Sequence, residues 1–325
     1  MLKIIQWINI YLLLSLVLFA EAAGQTDTLK IIQVSDVHIC NLSGYDPAFV
    51  QLRQHYGNGA VPLAGFLADK PRQLGADAVI ITGDLVDFYE AETENDTLLD
   101  TQIEQFAQIY YGSLIPVYLT LGNHDITSYW IDDSSKKESY QLNAEQARAA
   151  WIRNISCFRR GTYYLRSFPS GKTTYRCIFL DNGYSLGNGM YLDKTQLDWL
   201  EGKLKKYRND PVLIFMHKYL PVSDLNGDGV SFTSKPGIDF TSESLSSGLL
   251  RLLNENANIK AIFCGHGHRD VSEWLTWPAG HKILQVETAG FAGNHDAWRL
   301  IKLTEKTIII CATGTEQEEY NITID

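Results

Sequence analysis

Five histidines, His38, His124, His217, His266 and His268, stand in ordered short blocks with carboxylates and an amide: Asp36-Val37-His38, Gly83-Asp84, Gly122-Asn123-His124-Asp125, an isolated His217, and Gly265-His266-Gly267-His268. The donor set is imidazole and oxygen without thiolate, which suits manganese, iron or zinc. Two such ions about 3.5–4 Å apart clamp both the attacking and the leaving oxygen of a phosphoryl group. The blocks therefore read as a two-metal hydrolytic site.

Each residue type fits a separate task. Asp36 and His38 are two apart, so at the end of an extended segment both side chains leave the same side and can share one ion. Asp84 has two oxygens and can bridge two cations, while the neutral amide of Asn123 leaves positive charge on its ion. His124 directly follows a ligand, so it is expected to point into substrate space and protonate the leaving oxygen, with Asp125 orienting its imidazole. Singly, an Asp-x-His or a Gly-Asp is a weak signal; their order along the chain carries the reading.

Rigid elements must position these groups. Apolar runs rich in β-branched residues at 29–34, 78–82, 115–121, 176–180, 211–216, 259–264, 282–286 and 307–311 read as buried strands. Helical patterns lie between them at 63–74, 98–110, 144–153, 194–207 and 244–254, which implies an α/β domain with a largely parallel sheet and helices on its outer faces. Asp36, Asp84, Asn123, His217 and His266 each follow the carboxyl end of an apolar run, where open sheets hold ligands. Asp193 and Gln196 form a capping-box signal, with Leu192 placed to staple onto Leu197. Polar stretches at 40–60 and 223–247 are expected on the surface, and 125–143, with Tyr129, Trp130 and Tyr140, as an apolar wall for substrate.

The chain has 325 residues and a formal charge of −10, so a surface that coats nucleic acid is disfavoured and phosphate must be attracted locally. Lys3, the apolar stretch from Ile8 to Ala20 and the small residues Ala20-Glu21-Ala22 read as a signal peptide over 1–23. That leaves a domain over 27–325, no membrane span after processing, and export to a periplasmic, extracellular or secretory compartment. An uncleaved anchor is the alternative, weakened by Gln6 and Asn9 in the apolar run. Of five cysteines at least one is unpaired; Cys177 and Cys264 read as core thiols, and Cys157 and Cys311 can pair in an oxidising compartment.

With these blocks in order, the chain resembles the calcineurin-like metallophosphoesterase superfamily from about residue 29 to 303. The resemblance implies a four-layer α/β/β/α sandwich, with two sheets in place of one. It implies that Asp36, His38, Asp84 and His268 hold one metal ion, and Asp84, Asn123, His217 and His266 a second. Purple acid phosphatases of that superfamily carry a tyrosine three residues after the bridging aspartate and lack the first-block histidine. Here Asp87 stands in that place and His38 is present, so the pattern is more similar to cyclic-nucleotide phosphodiesterase-type or acid-sphingomyelinase-type enzymes.

The expected activity is hydrolysis of a phosphate monoester or diester, on a small molecule or a lipid head group, by a hydroxide between the two ions with His124 as general acid. A non-catalytic extracytoplasmic binding protein for phosphorylated ligands is the alternative on the same fold. Gly293-Asn294-His295-Asp296 repeats a site tetrapeptide but precedes a strand-like run, which places it in a loop at the far end of the domain. The stretch from Asp224 to Gly229 opens like a calcium loop, yet Lys235 stands where a glutamate is required, so it reads as a polar turn. His55 and His281 read as exposed or locally bonded, and Lys218 and Arg269, adjacent to ligands, as candidate phosphate contacts.

Overall fold

A computed structural model describes residues 28–54, 59–131, 137–183, 192–225, 227–232 and 248–324. Its strands are β1 (Leu29–Val34), β2 (Ala78–Thr82), β3 (Glu90–Glu92), β4 (Leu98–Leu99), β5 (Val117–Thr120), β6 (Ser128–Ile131), β7 (Lys137–Tyr140) and β8 (Tyr164–Ser170). They continue with β9 (Thr173–Phe179), β10 (Val212–Lys218), β11 (Ile259–Gly265), β12 (Val271–Thr276), β13 (Lys282–Glu287), β14 (Trp298–Leu303), β15 (Thr307–Cys311) and β16 (Glu318–Thr323). The helices are α1 (Pro47–Arg53), α2 (Ala60–Leu74), α3 (Gln102–Gly112), α4 (Ala144–Asn154), α5 (Lys194–Lys206) and α6 (Gly248–Glu255).

Two six-stranded sheets form, in the orders β16-β15-β14-β1-β2-β5 and β12-β13-β11-β10-β9-β8. β1, β2 and β5 are mutually parallel, as are β9, β10, β11 and β13, and the remaining strands pair antiparallel toward the edges. The single sheet implied by the residues alone is thus corrected to two, as the resemblance implied. Strand β10 shows why: Leu213 and Phe215 join the core shared with β1 and β2, whereas Val212, Ile214 and Met216 join the one covered by α5 and α6. Both faces are buried, and an apolar run does not say whether a helix or a second sheet covers each face.

Between the sheets, Tyr164, Phe179, Phe215 and Phe263 stack on adjacent strands with centroids 4.5, 5.2 and 5.1 Å apart. Such cross-strand aromatic rows pin the register of the second sheet. Helices α2, α3 and α4 bury Leu63, Phe66, Phe106 and Trp151 against the first sheet, completing the α/β/β/α sandwich. At α5 the Asp193 carboxylate caps Gln196 N at 2.7 Å as expected, but the Gln196 side chain bonds the backbone of Asp181 in place of the reciprocal capping bond.

A third sheet, β4-β3-β6-β7, stands beside the sandwich with α1. The segment expected as a surface loop at 40–60 instead contains α1, whose signal was the N-cap Asp46 followed by Pro47; the carboxylate accepts from Ala48 N at 2.7 Å. Tyr45 and Phe49 pack there on Phe88 and Tyr129, so Tyr129 fills a small core and not a substrate wall. The helix expected from residue 98 begins at Gln102, because Leu98 and Leu99 pair with β3.

All five cysteines are free and buried, so Cys157 and Cys311 are not paired. His281 is locally bonded, with Nε2 3.0 Å from the Leu253 carbonyl. Asp224 accepts from the backbone of Asp228 and Gly229, the polar turn expected there. The expected signal peptide, His55, Lys235 and the start of the helix at 244 lie outside the described residues, among which no helix is long and apolar enough to cross a membrane.

Candidate metal centre

The site residues gather at the carboxyl ends of β1, β2, β5, β10 and β11. Strand alternation places His217 in line with Leu213 and Phe215, facing the first sheet. Its ring crosses the gap between sheets, with Nδ1 2.9 Å from the Thr82 carbonyl on β2. Asn182 secures this point where β10 slips register against β11: its Oδ1 accepts from the amides of His217 and Lys218 at 3.0 and 3.1 Å.

Backbone strain is concentrated here. Among the described residues the non-glycine positions with positive φ are Asp36, His38, Asp84, Asp96, His266 and His268, and all but Asp96 are candidate ligands. Each such residue costs on the order of 1 kcal/mol or more and persists only where packing over-determines it. The chain passes equally closely: a Cβ on Gly122 would sit 2.2 Å from Asp84 Oδ1 and 2.3 Å from its amide nitrogen.

Donor atoms converge in two groups that share Asp84. Asp36, His38, Asp84 and His268 form one, and Asp84, His217 and His266 the other, each with ligand atoms within 4.8 Å of one another. In the first, His38 Nε2 lies 3.1 Å from His268 Nε2 and 3.7 Å from Asp84 Oδ2, and His268 Nε2 lies 3.3 Å from Asp36 Oδ1. In the second, His217 Nε2 lies 3.1 Å from Asn123 Oδ1, 3.2 Å from Asp84 Oδ2 and 3.2 Å from His266 Nδ1.

All of these spacings but the 3.7 Å between His38 and Asp84 match those around a bound metal. Donors bound at about 2.1 Å to one ion stand roughly 3.0–3.4 Å apart in octahedral or tetrahedral shells. The carbonyl beside His217 Nδ1 can only accept, so that nitrogen carries hydrogen and Nε2 turns toward the oxygens of Asp84 and Asn123, where positive charge is required. Burial disfavours a charged His217, yet the charge and hydrogen bond of Asp84 raise its pKa to about 9, whereas burial and the His217 charge lower His266 to about 3. Burial likewise opposes ionisation of Asp84, and the histidines around it hold its carboxyl well below the usual range.

His124 projects beside this cluster with Nδ1 2.8 Å from the Asp87 carbonyl, which leaves Nε2 as the nitrogen available to substrate. The expected orienting role of Asp125 is corrected: its two oxygens accept from Val86 N at 3.0 Å and Gly122 N at 2.6 Å, tying the loops after β2 and β5 together. The ring nitrogen that Asp125 was expected to orient lies instead against the Asp87 carbonyl. Asp87 was singled out in the sequence only as a missing tyrosine. Its carboxylate accepts from His38 Nδ1 at 3.2 Å and from Arg53 Nε at 2.7 Å, with Arg53 Nη2 completing a bidentate pair. The guanidinium therefore occupies a carboxylate that would otherwise count, with His38 and His124, as a further ligand group.

Arg269 is engaged by Glu287 at 2.8 Å and by the carbonyls of Ser231 and Phe232 at 3.0 Å, so it braces the loop after β10. Lys218 is buried, and burial lowers its pKa against the attraction of Asp84. The second Gly-Asn-His-Asp string does not lie at the far end: Ala292 N, just before it, donates to the Asp36 carbonyl at 3.0 Å, and His295 itself is exposed.

Residues 29–270 match the model of the calcineurin-like phosphoesterase family. The chain belongs to that family and is a metal-dependent phosphoester hydrolase. It is similar to a probable glycerophosphodiester phosphodiesterase of Arcobacter nitrofigilis, with 26% identity over 242 residues, 74% of this chain and 71% of that protein. A 3′,5′-cyclic-nucleotide phosphodiesterase of Nostoc is 25% identical over 236 residues, 70% of this chain and 72% of that protein. The fold is shared with a dimetal phosphatase from Danio rerio, at a TM-score of 0.56 and 16% identity over 91% of this chain and 99% of that one.

Proposed function

We propose that this chain is an exported phosphodiesterase that holds two metal ions and cleaves a phosphodiester of a small molecule or lipid head group. One observation carries the reading: Asp84 belongs to both ligand groups, its Oδ2 lying 3.2 Å from His217 Nε2 and 3.7 Å from His38 Nε2. Asp36, His38 and His268 would complete one ion's shell, and Asn123, His217 and His266 the other's. Bound there, manganese, iron or zinc supplies Lewis acidity toward phosphoryl oxygens and a water acidic enough to attack phosphorus.

The protein's own groups do the rest. Asp84 Oδ1 accepts from His124 N at 2.9 Å, so the bridging carboxylate and the candidate acid are locked to one another. Burial, helped by the neighbouring His38, holds the His124 pKa below the usual histidine value against the pull of Asp84 and Asp87; a bound phosphate anion adds to that pull and would favour a proton on Nε2 for the leaving oxygen. The names of the two curated relatives support a diester over a monoester. The apolar stretch from Ile8 to Ala20 supports export.

Metal content per chain by mass spectrometry, paired with turnover of bis(4-nitrophenyl) phosphate, 4-nitrophenyl phosphate, a cyclic nucleotide and a glycerophosphodiester, tests the proposal. Two ions per chain and faster diester turnover are expected. A loaded protein that cleaves none of the four is a binding protein instead.

A further inference from the structure

Where the chain leaves β9, a side chain replaces the main chain in the ladder with β10. The two strands run in register as far as Phe179 beside Phe215, and Leu180 N still donates to the Phe215 carbonyl at 2.9 Å. At His217, two residues further along β10, Asn182 takes over. Its Oδ1 accepts from both His217 N and Lys218 N, at 3.0 and 3.1 Å, and its Nδ2 donates to the Lys218 carbonyl at 2.8 Å.

Two residues of one strand set against a single partner make a β-bulge, and β10 carries such an irregularity against β11 between Phe215 and Lys218. Asn182 is 1% exposed and supplies the acceptor that both successive amides use. Among side chains of its length only asparagine offers an acceptor oxygen together with a donor nitrogen.

The neighbours of Asn182 extend the brace in two directions. Gly183 packs on the peptide between Gly122 and Asn123, where a Cβ would sit 2.5 Å from the Gly122 carbonyl oxygen and 3.3 Å from Asn123 N. Asn123 and His217 face each other in one ligand group, Oδ1 to Nε2 at 3.1 Å. Asp181 ties the segment to the outer helices: its carboxylate accepts from Arg148 Nε of α4 at 2.7 Å and from Thr162 Oγ1 at 2.6 Å. Its backbone exchanges two bonds with the Gln196 side chain of α5, which is why Gln196 leaves its capping box. In the other ligand group His38 is backed by a different residue, Asp87.

On the two-ion reading above, we propose that Asn182 is a positioning residue for one of the two metal sites. It holds the bulge of β10 so that the His217 imidazole meets Asp84, Asn123 and His266, and it leaves the site of Asp36, His38 and His268 to other braces. Without it, two buried amides lose their acceptor and the strand end that aims His217 relaxes.

The test is metal titration, with bound ions counted by mass spectrometry, of Asn182→Ala in the parent protein and in its His38→Ala and His217→Ala variants. We expect one of the two ions of the parent to bind at least ~10-fold more weakly and the other to be unchanged. The same weakening should appear for the ion that remains in His38→Ala, and none for the ion that remains in His217→Ala, where the residue acted upon is gone. Asn182→Asp keeps the acceptor for both amides and should recover most of the loss. Gly183→Ala presses on Asn123 of the same group, should weaken the same ion, and serves where Asn182→Ala does not fold. Equal weakening of both ions is what a merely structural role gives, and it overturns the proposal. So does a folded Asn182→Ala or Gly183→Ala protein that binds both ions as the parent does, an undiminished effect in His217→Ala, or an Asn182→Asp protein no better than Asn182→Ala. In each of these cases the two-ion reading stands, whereas a parent that takes up fewer than two ions removes that reading and the proposal with it.

Discussion

The Nδ1 of His38 lies 3.2 Å from Oδ1 of Asp87, and both side chains are fully buried. Burial alone would raise the Asp87 carboxyl, but the bonds from His38 and Arg53 overcome it and hold the group below the usual carboxylate range. A carboxylate fixed on Nδ1 turns Nε2 outward as a ligand and sets the plane of the ring, as outer partners of metal-bound histidines generally do.

Asp87→Asn keeps the shape but weakens the hold on His38, and metal affinity should fall about 10–100-fold. Arg53→Met leaves a buried carboxylate without its cation and should cost on the order of 3–5 kcal/mol of stability. Metal titration and urea unfolding separate the two effects; an Asp87→Asn protein that binds metal as the parent does would remove Asp87 from this role.

Asp84→Asn removes the shared charge between the two ligand groups. Metal content and turnover should both be lost, with mass spectrometry and ester hydrolysis as the measurements. Unchanged turnover would contradict the central position of Asp84.

His124→Asn should retain metal while turnover drops about 10²–10⁴-fold, the usual contribution of a positioned proton donor. The drop should shrink for esters with acidic leaving groups, which depart without a proton. Parallel loss of metal would make His124 a structural part of the site instead.

Gly122→Ala places a methyl group against Asp84, 2.2 Å from Oδ1 and 2.3 Å from the backbone nitrogen. The Asp84 carboxylate or the loop must move, so activity should fall sharply and thermal stability modestly. A fully active variant, assayed at saturating metal, would show that the loop gives way without disturbing Asp84.

Glu273 is 3% exposed, and burial, followed by the charges of Asp228 and Asp224, raises its pKa from 4.5 to about 7. The unfolded chain therefore releases this proton at lower pH than the folded one, and stability should fall as pH rises from about 4.5 to about 7 and then level off. Glu273→Gln should remove this component, worth on the order of 2 kcal/mol. Melting temperatures of both proteins at pH 5 and pH 8 decide it: the gap between them should widen at pH 8.

The candidate ligands were legible because each is a metal-binding type placed just beyond an apolar run, and the strands β1, β2, β10 and β11 are marked by those same runs. Helix α1 is hard to read although Asp46-Pro47 announces it, since its apolar face is short and packs on a small separate cluster with Tyr45, Phe88, Ala91 and Tyr129. Leu98 and Leu99 continue a helical pattern locally, yet pairing with Ala91 and Glu92 draws them into a strand. Asp125 was assigned by adjacency to His124, whereas its oxygens are claimed by backbone groups that the sequence does not place nearby.

The sequence by itself determined the donor chemistry, the order of the ligand blocks and the strands that carry them, because side-chain type and local periodicity are properties of short stretches. Only the tertiary structure decided that two sheets face each other, that Asp84 stands between His38 and His217, and that Arg53 reaches Asp87 across 34 residues of chain. Those are choices among long-range partners, and they depend on which buried surfaces and charges meet when the whole core closes.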